Sequence, residues 1–506
     1  MSNRPPRWLI ALIVLISLPL LLPFLYVIER AADVGLARSI ELLWRPRMWE
    51  LLSNTLLLMV FVTLFAIILG TLCAFLLERY HFWGKGFFQV AMTLPLCIPA
   101  FVSCFTWISL TFRVEGLWGT IGIMTLSSFP LAYLPVAATL KRLDRSLEEV
   151  SLSLAKSQAY TFWHAIFPQL KPAIGSSVLL IALHMLVEFG AVSILNYQTF
   201  TTAIFQEYEM AFNNNTAALL SGVLMMICIL VVMGEIRFRG TQTLYQSGKG
   251  VIRPYPLKAL SAGKQILVVS FFSTIFVLSI GVPITMLIYW LTVGSSIEGA
   301  VDFGEFFTAF TNSLTISTLG ATLTVICALP LVWAAVRYRS KLTIWLDRIP
   351  YLLHAVPGLV IALSLVFFTI NYAYSLYQTF AMVIVAYFML YLPMAQTTLR
   401  SSLEQMSSNI EKVGQSLGRS NFYIFRTLVI PAMLPGIAAA FALVFLNLMK
   451  ELTATLLLTP NDIKTLSTAV WEYTSDAQYA AATPYAIMLV LFSGIPVFLL
   501  KRYGFK

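Results

Sequence analysis

Ile410-Glu-Lys-Val-Gly-Gln-Ser-Leu-Gly-Arg-Ser-Asn-Phe-Tyr-Ile-Phe-Arg-Thr-Leu-Val-Ile-Pro431-Ala-Met-Leu-Pro435 decides the fold, because the chain carries its pattern twice. The other copy is Leu147-Glu-Glu-Val-Ser-Leu-Ser-Leu-Ala-Lys-Ser-Gln-Ala-Tyr-Thr-Phe-Trp-His-Ala-Ile-Phe-Pro168-Gln-Leu-Lys-Pro172. At an offset of 263 residues Val150 meets Val413, Leu154 meets Leu417, Pro168 meets Pro431, Pro172 meets Pro435 and Glu188 meets Glu451. Upstream the offset is 258: Asn54 matches Asn312, Arg79 matches Arg337, Pro99 matches Pro357, and Leu134-Pro135 matches Leu392-Pro393. Five extra residues in the 399–413 region account for the change. One offset held through so many matches is an internal repeat. Val150, Leu154 and Ala155, like Val413, Leu417 and Gly418, fall at helical spacing, so each copy opens as a short amphipathic helix whose apolar face needs a partner.

Outward from these copies the chain is almost wholly apolar. Of 506 residues, 59% are hydrophobic and 11% charged, with a mean hydropathy of +0.82, whereas a soluble domain carries about 25% charged residues. That balance excludes a water-soluble fold. At roughly 20 apolar residues per crossing, the length allows about a dozen spans and no large soluble domain. Apolar runs between polar breaks predict helices near 8–28, 52–77, 87–111, 121–140, 174–196, 216–236, 265–291, 310–336, 350–370, 380–398, 433–458 and 481–500. Arg4-Pro-Pro-Arg7 followed by Trp8 to Ile28 reads as a retained first helix rather than a signal peptide, since the run is long and no small-residue cleavage site follows. Cys73, Cys97, Cys104, Cys228 and Cys327 sit singly in apolar stretches and read as small hydrophobes.

Alternating the loops from a cytoplasmic N-terminus puts 26 of the 33 Lys and Arg on one side, while the acidic residues lean to the other. The positive-inside rule then makes both termini cytoplasmic. The net charge of +10 therefore reflects membrane orientation and anionic lipid headgroups, and no nucleic acid is implied. Each half holds an even number of spans, six, so the halves enter the membrane in the same direction as a parallel repeat. The expected fold is an all-α polytopic membrane protein of about 12 transmembrane helices in two fused halves. Residues 1–240 form the first repeat with a loop at 141–172, and 265–506 form the second with a loop at 399–435. Gly240, Gly248, Gly250, Pro254, Pro256 and Gly263 mark 241–264 as a cytoplasmic linker.

Both loops resemble the coupling loop of inner-membrane permeases of binding-protein-dependent ABC importers: E-A-A, three residues, G, an aromatic or aliphatic run, then P-x-x-x-P. The resemblance spans nearly the whole chain. Neither copy keeps a strict E-A-A, since Glu148-Glu149-Val150 and Glu411-Lys412-Val413 stand there, and Ala155 replaces the usual glycine that the second copy keeps as Gly418. The resemblance implies two fused type I importer halves in a bacterial inner (cytoplasmic) membrane. It also implies that Glu149, Val150, Leu154, Ala155, Pro168 and Pro172, with Glu411, Val413, Leu417, Gly418, Pro431 and Pro435, dock a cytoplasmic ABC ATPase homodimer. Glu149 and Glu411 would stand near a helix start, where a carboxylate is favoured, and Gly418 would permit close approach. The alternative is a pair of surface helices lying on membrane lipid. No ATPase is encoded, because Gly84-Lys-Gly86, Gly248-Lys-Gly250 and Gly263-Lys264 lack the residues of a phosphate-cradling loop. The chain is expected to be no enzyme and to bind no stable cofactor, with ATP acting on the partner subunit.

Glu188 and Glu451 each follow the last proline of their loop by 16 residues, about 24 Å along a helix. Ionisable groups at that depth face a bundle interior or a pathway. Further on, aligning Thr199–Tyr208 with Lys464–Tyr473 pairs Glu207 with Glu472 and Tyr208 with Tyr473. Glu188, Glu451, Glu207, Tyr208, Glu472 and Tyr473 form a candidate substrate path, since carboxylate and phenolate oxygens suit a hard cation; no metal site is established. The glutamates read equally as carboxylates hydrogen-bonded across helices, and the tyrosines as interfacial belt residues. Lys450-Glu-Leu-Thr-Ala-Thr-Leu-Leu-Leu with Thr465-Leu-Ser-Thr-Ala-Val-Trp471 resembles the fused permeases of periplasmic ferric-iron importers. That resemblance implies Fe3+ as the transported substrate and a periplasmic ferric-iron-binding protein as partner. Thiamine, a polyamine or an oxyanion are the other cargoes considered, and an ion-gradient-driven secondary transporter is the rival mechanism.

Overall fold

The computed structural model describes residues 5–143, 151, 153–154, 157–239, 257–293, 302–338, 340–353, 356–407 and 409–504. Among these residues it is built from helices, with one two-residue parallel strand pair, Tyr80–His81 on Lys258–Ala259. Eight helices among the described residues are long and apolar enough to cross a membrane, or up to eleven when three bent pairs each count as one span. With the shorter apolar helix Tyr479–Gly494 they fall on the twelve apolar runs read from the sequence. Most of the predicted 241–264 linker lies outside the described residues.

The compact units do not coincide with the sequence repeats. One unit comprises 1–43, 204–225 and 301–472; the other comprises 44–203, 226–300 and 473–506. In the first, the 35-residue helix Phe303–Arg337 starts where the Asp302 carboxylate accepts the N–H groups of Gly304 and Glu305, satisfying donors that a helix start leaves orphaned. It packs on Phe380–Gln405 and Leu434–Leu448. Gly320 permits that approach, since a Cβ there would lie 2.9 Å from Tyr387 and 3.1 Å from Leu448. The N-terminal helix Arg7–Ser17 joins this unit by setting Trp8 against Trp333 and Phe422, and Leu22–Val34 does so through Tyr26 on Phe367.

In the second unit, Pro46–Arg79 opens with proline at its first position, where the missing N–H costs nothing, and packs on Pro130–Arg142 and Phe167–Val187. The helical stretch 262–293, which leads the second repeat, belongs here. Phe272 stacks on Phe82 and Phe88, and Val282–Val293 packs on Ala100–Leu110 and Tyr479–Gly504. Leu57, Leu64, Ile68 and Leu72 make an exposed apolar stripe along Pro46–Arg79, the surface a helix offers to lipid.

Prolines explain most of the bends. Pro99 and Pro357 stand at equivalent helix starts after breaks, and the pair Lys85–Cys97 and Ala100–Leu110 is bent by 93°. Pro168 and Pro431 follow matching wide turns at Phe162–Ile166 and Phe425–Val429, because a proline ring displaces the carbonyl four residues back and the ladder opens to accommodate it. The continuous helices expected at 87–111 and 350–370 are each broken before a proline-led helix, at Pro99 and Pro357, and two further predicted runs are corrected. The continuous helices expected at 174–196 and 433–458 are broken: Phe167–Val187 stops before Glu188, and Leu434–Leu448 stops before Thr453–Leu458 begins. No proline marks these breaks; at each, a glutamate side chain accepts backbone N–H groups of the short helix that follows.

Candidate functional site

The second loop forms the helix Asn409–Ser416, closed by Gly418 at φ +70, a left-handed position that glycine takes without strain. Its Glu411 carboxylate is buried and turned inward. Arg337 Nε donates to it at 2.6 Å and Trp333 Nε1 at 3.3 Å, while the same guanidinium donates to the carbonyl of Met406 at 3.2 Å. Glu411 thus ties the loop helix to the C-terminal end of Phe303–Arg337. Burial and the Glu411 charge push the neighbouring Tyr338 phenol up to about 12, so it stays protonated. Gly414 lets the helix lie on Ile424, which a Cβ would approach to 2.9 Å. Val413 and Leu417, four residues apart, are left 58% and 72% exposed.

Of the first loop, Glu149, Val150 and Ala155 lie outside the described residues. Leu154 is exposed at 67%, and Ser151 shares a 2.8 Å hydrogen bond with Thr161 at the start of the following helix. Pro168 and Pro172 lie on one helix, Phe167–Val187, whereas Pro431 and Pro435 fall on either side of a 71° bend between Asn421–Ala432 and Leu434–Leu448.

Beyond the far ends of Phe167–Val187 and Leu434–Leu448 stands a glutamate joint. Glu451 is 8% exposed and uses both carboxylate oxygens: Oε1 accepts the Ala454 N–H at 3.0 Å, and Oε2 accepts the Thr455 N–H at 3.0 Å and its hydroxyl at 2.7 Å. The side chain therefore caps Thr453–Leu458 and holds the chain in its break. Tyr387 adds a 2.7 Å hydroxyl contact to Thr455. Glu188 caps Gly190–Ile194 in the same way, but with one bond, the Ala191 N–H to Oε1 at 3.1 Å. Its other oxygen lies 3.8 Å from Nε2 of His184. The position matching His184 is Asn447, whose amide donates to the Leu443 carbonyl.

Each joint also holds the helix that follows. Thr201 donates its hydroxyl to the Glu188 carbonyl at 2.7 Å, and Ser467 does the same to Glu451 at 2.7 Å. Asn54 Nδ2 donates to the Gln198 carbonyl and Thr55 accepts the Phe200 N–H; Asn312 and Ser313 do so for Lys464 and Leu466. These bonds fix the equivalence of Phe200–Glu209 and Leu466–Ser475 at an offset of 266, one more than the sequence alignment. The pairing of Glu207 with Glu472 and Tyr208 with Tyr473 is thereby corrected: Glu207 matches Tyr473, and Glu472 matches Gln206. Glu472 binds Lys464 at 2.9 Å, Lys464 also binds Glu305 at 2.9 Å, and Tyr473 lies against Tyr485. Among the described residues no three His, Cys, Asp or Glu side chains are placed to hold a metal ion.

Several of these groups escaped the sequence reading. Asn54 and Asn312 were legible only as repeat markers, although a paired Asn in an apolar run signals a polar contact to come. Arg337 was likewise a marker, and nothing in the sequence connected it with Glu411.

A family model for the binding-protein-dependent transport system inner membrane component matches residues 66–236 and again 320–503. The chain is 80% identical over 506 residues, covering 100% of both sequences, to the Fe(3+)-transport system permease protein FbpB 2 of Haemophilus influenzae. It is 22% identical to the ferric transport system permease protein FbpB of Actinobacillus pleuropneumoniae over 87% of this chain and 69% of that protein. A probable sulfate transport system permease protein cysT of Chlorokybus atmophyticus is 28% identical over 45% of this chain and 86% of its own length.

Proposed function

Since the chain belongs to the family of binding-protein-dependent transport system inner membrane components, matched in both halves, we propose that it is the translocation subunit of an ATP-driven importer of ferric iron. The observation that carries the cargo is the full-length similarity at 80% identity to an Fe(3+)-transport permease. Iron would arrive on a periplasmic ferric-binding protein. Hydrolysis would occur in a separate cytoplasmic ATPase, a homodimer serving the two loops, with both termini of this chain on its side of the membrane.

The second loop supports that division of labour. Val413 and Leu417 present an apolar pair outward while Glu411 and Arg337 fasten the helix that bears them, so a partner seated on the pair would push on the end of Phe303–Arg337. On this reading the exposed Leu154 serves the first loop. Closure of the ATPase dimer on both loops would drive alternating access. An oxyanion cargo is favoured by part-length similarity alone, to sulfate and 2-aminoethylphosphonate permeases.

Proteoliposomes containing this chain, its ATPase and a ferric-loaded binding protein test the reading. ATP-dependent uptake of radiolabelled ferric iron that requires all three is the expected result. An ATPase complex stimulated by the binding protein but taking up no iron would overturn the cargo, and sulfate, thiamine and polyamine would be tried next. Leu417→Asp should abolish uptake by removing the docking contact while leaving the purified chain folded; undiminished uptake would remove the loop from the mechanism.

A further inference from the structure

Phe205 and Trp471 occupy equivalent positions of the two repeats at the 266-residue offset fixed by the hydrogen bonds at Thr201 and Ser467. Their rings touch edge to face, with centroids 5.7 Å apart and planes at 73°, a favoured geometry for aromatic pairs. Two equivalent positions related by a two-fold axis can touch each other only beside that axis. In a parallel repeat the axis runs along the membrane normal, which is where a path between the repeats would run. Phe205 is only 8% exposed, so the contact is closed over.

We propose that Phe205 and Trp471 form an aromatic plug that closes the translocation path on the membrane side opposite the coupling loops. The inference rests on the importer reading and assigns that reading its outer closure. An apolar constriction excludes hydrated ions by dewetting, and a highly charged cation is the cargo it would stop most completely. The side of the membrane follows from helix length: Phe162–Val187 has 26 residues, about 39 Å of rise, between the first loop and the Glu188 joint. A bonded route also links plug and loops. In the first repeat one helix runs from the loop to Glu188, and in the second a bent helix pair leads to Glu451; the carbonyl of each glutamate accepts the hydroxyl of Thr201 or Ser467, four residues before each ring. Displacement of a loop helix therefore has a hydrogen-bonded connection to the base of its ring helix.

The test uses the assembled complex of this chain and its ATPase in proteoliposomes loaded with rubidium ions, without nucleotide. Phe205→Ala with Trp471→Ala should speed passive rubidium release at least about threefold, because the dewetted constriction is lost. Trp471→Phe, which keeps two rings, should release at the parental rate. Parental release by an assembled double-alanine complex would overturn the proposal. As the double variant can fail to assemble, Phe205→Cys gives a second readout against the parent's own cysteine background: labelling by a membrane-impermeant maleimide. Labelling should rise severalfold when the complex is trapped with ATP and vanadate, and unchanged labelling would also overturn the plug. Neither readout involves iron, so a wrong cargo and a wrong plug give different results.

Discussion

Glu188 and Glu451 stand at equivalent places in the two repeats and do the same job, yet they are built differently. The second joint is closed: Glu451 accepts three hydrogen bonds, and Thr455 passes one contact on to Tyr387. At the matching positions of the first joint stand Val192 and Phe129, so the hydroxyls are gone and Glu188 keeps one backbone bond and a histidine. A fused chain allows this divergence, since each half can be altered alone, whereas a homodimer must change both copies at once. The difference separates a rigid anchor from a joint with a spare carboxylate oxygen.

Replacing each carboxylate by an amide should give the largest contrast. At position 451 both oxygens act as acceptors, so Glu451→Gln would turn an NH2 toward the Thr455 N–H and leave a buried donor unmet, a cost of about 1–3 kcal/mol. At position 188 the amide oxygen can still accept from Ala191 and the NH2 can donate to His184. Glu188→Gln should therefore lower the thermal unfolding midpoint of the purified chain far less than Glu451→Gln. Equal shifts would show the two joints to be energetically alike despite their bonds.

The next effect is smaller and converts one joint into the other. Thr455→Val reproduces Val192, deletes the hydroxyl bond to Glu451 and leaves the Tyr387 hydroxyl without that partner, which should cost about 1–2 kcal/mol. Adding Tyr387→Phe, the residue matching Phe129, removes the orphaned hydroxyl and should recover part of the loss. A double variant no more stable than Thr455→Val alone would mean that the Tyr387 hydroxyl is satisfied elsewhere and the two residues are uncoupled. A double-mutant cycle measures this directly.

How much of this was legible depends on the dimension of the signal. Hydropathy and a constant offset are one-dimensional, so the apolar runs and the repeat could be read from the residues. The breaks at Glu188 and Glu451 could not, because a side chain capping a backbone three residues ahead leaves the apolar run unbroken in sequence. The register of Phe200–Glu209 against Leu466–Ser475 differs by one residue from the one that the shared Glu-Tyr of 207–208 and 472–473 suggests. Hydrogen bonds from Asn54 and Asn312, far away in the chain, set it instead. The meeting of Phe205 with Trp471 is a contact between two repeats, and neither repeat alone contains it.

The smallest expected effect tests whether the spare oxygen of Glu188 matters at all. His184→Asn copies the second repeat, where Asn447 turns its amide back to the Leu443 carbonyl one helical turn earlier. The imidazole is 40% exposed and 3.8 Å from the carboxylate, a partly solvated pair whose removal should change stability by no more than about 1 kcal/mol. The cap on Ala191 uses the other oxygen and survives the substitution. If His184→Asn nonetheless reduces iron uptake severalfold while the unfolding midpoint stays put, the first joint handles cargo or its protons, and the asymmetry between the joints is functional. If uptake and stability both remain at the parental level, His184 and the spare oxygen play no part in transport, and the two glutamates differ only in how firmly each holds its helix.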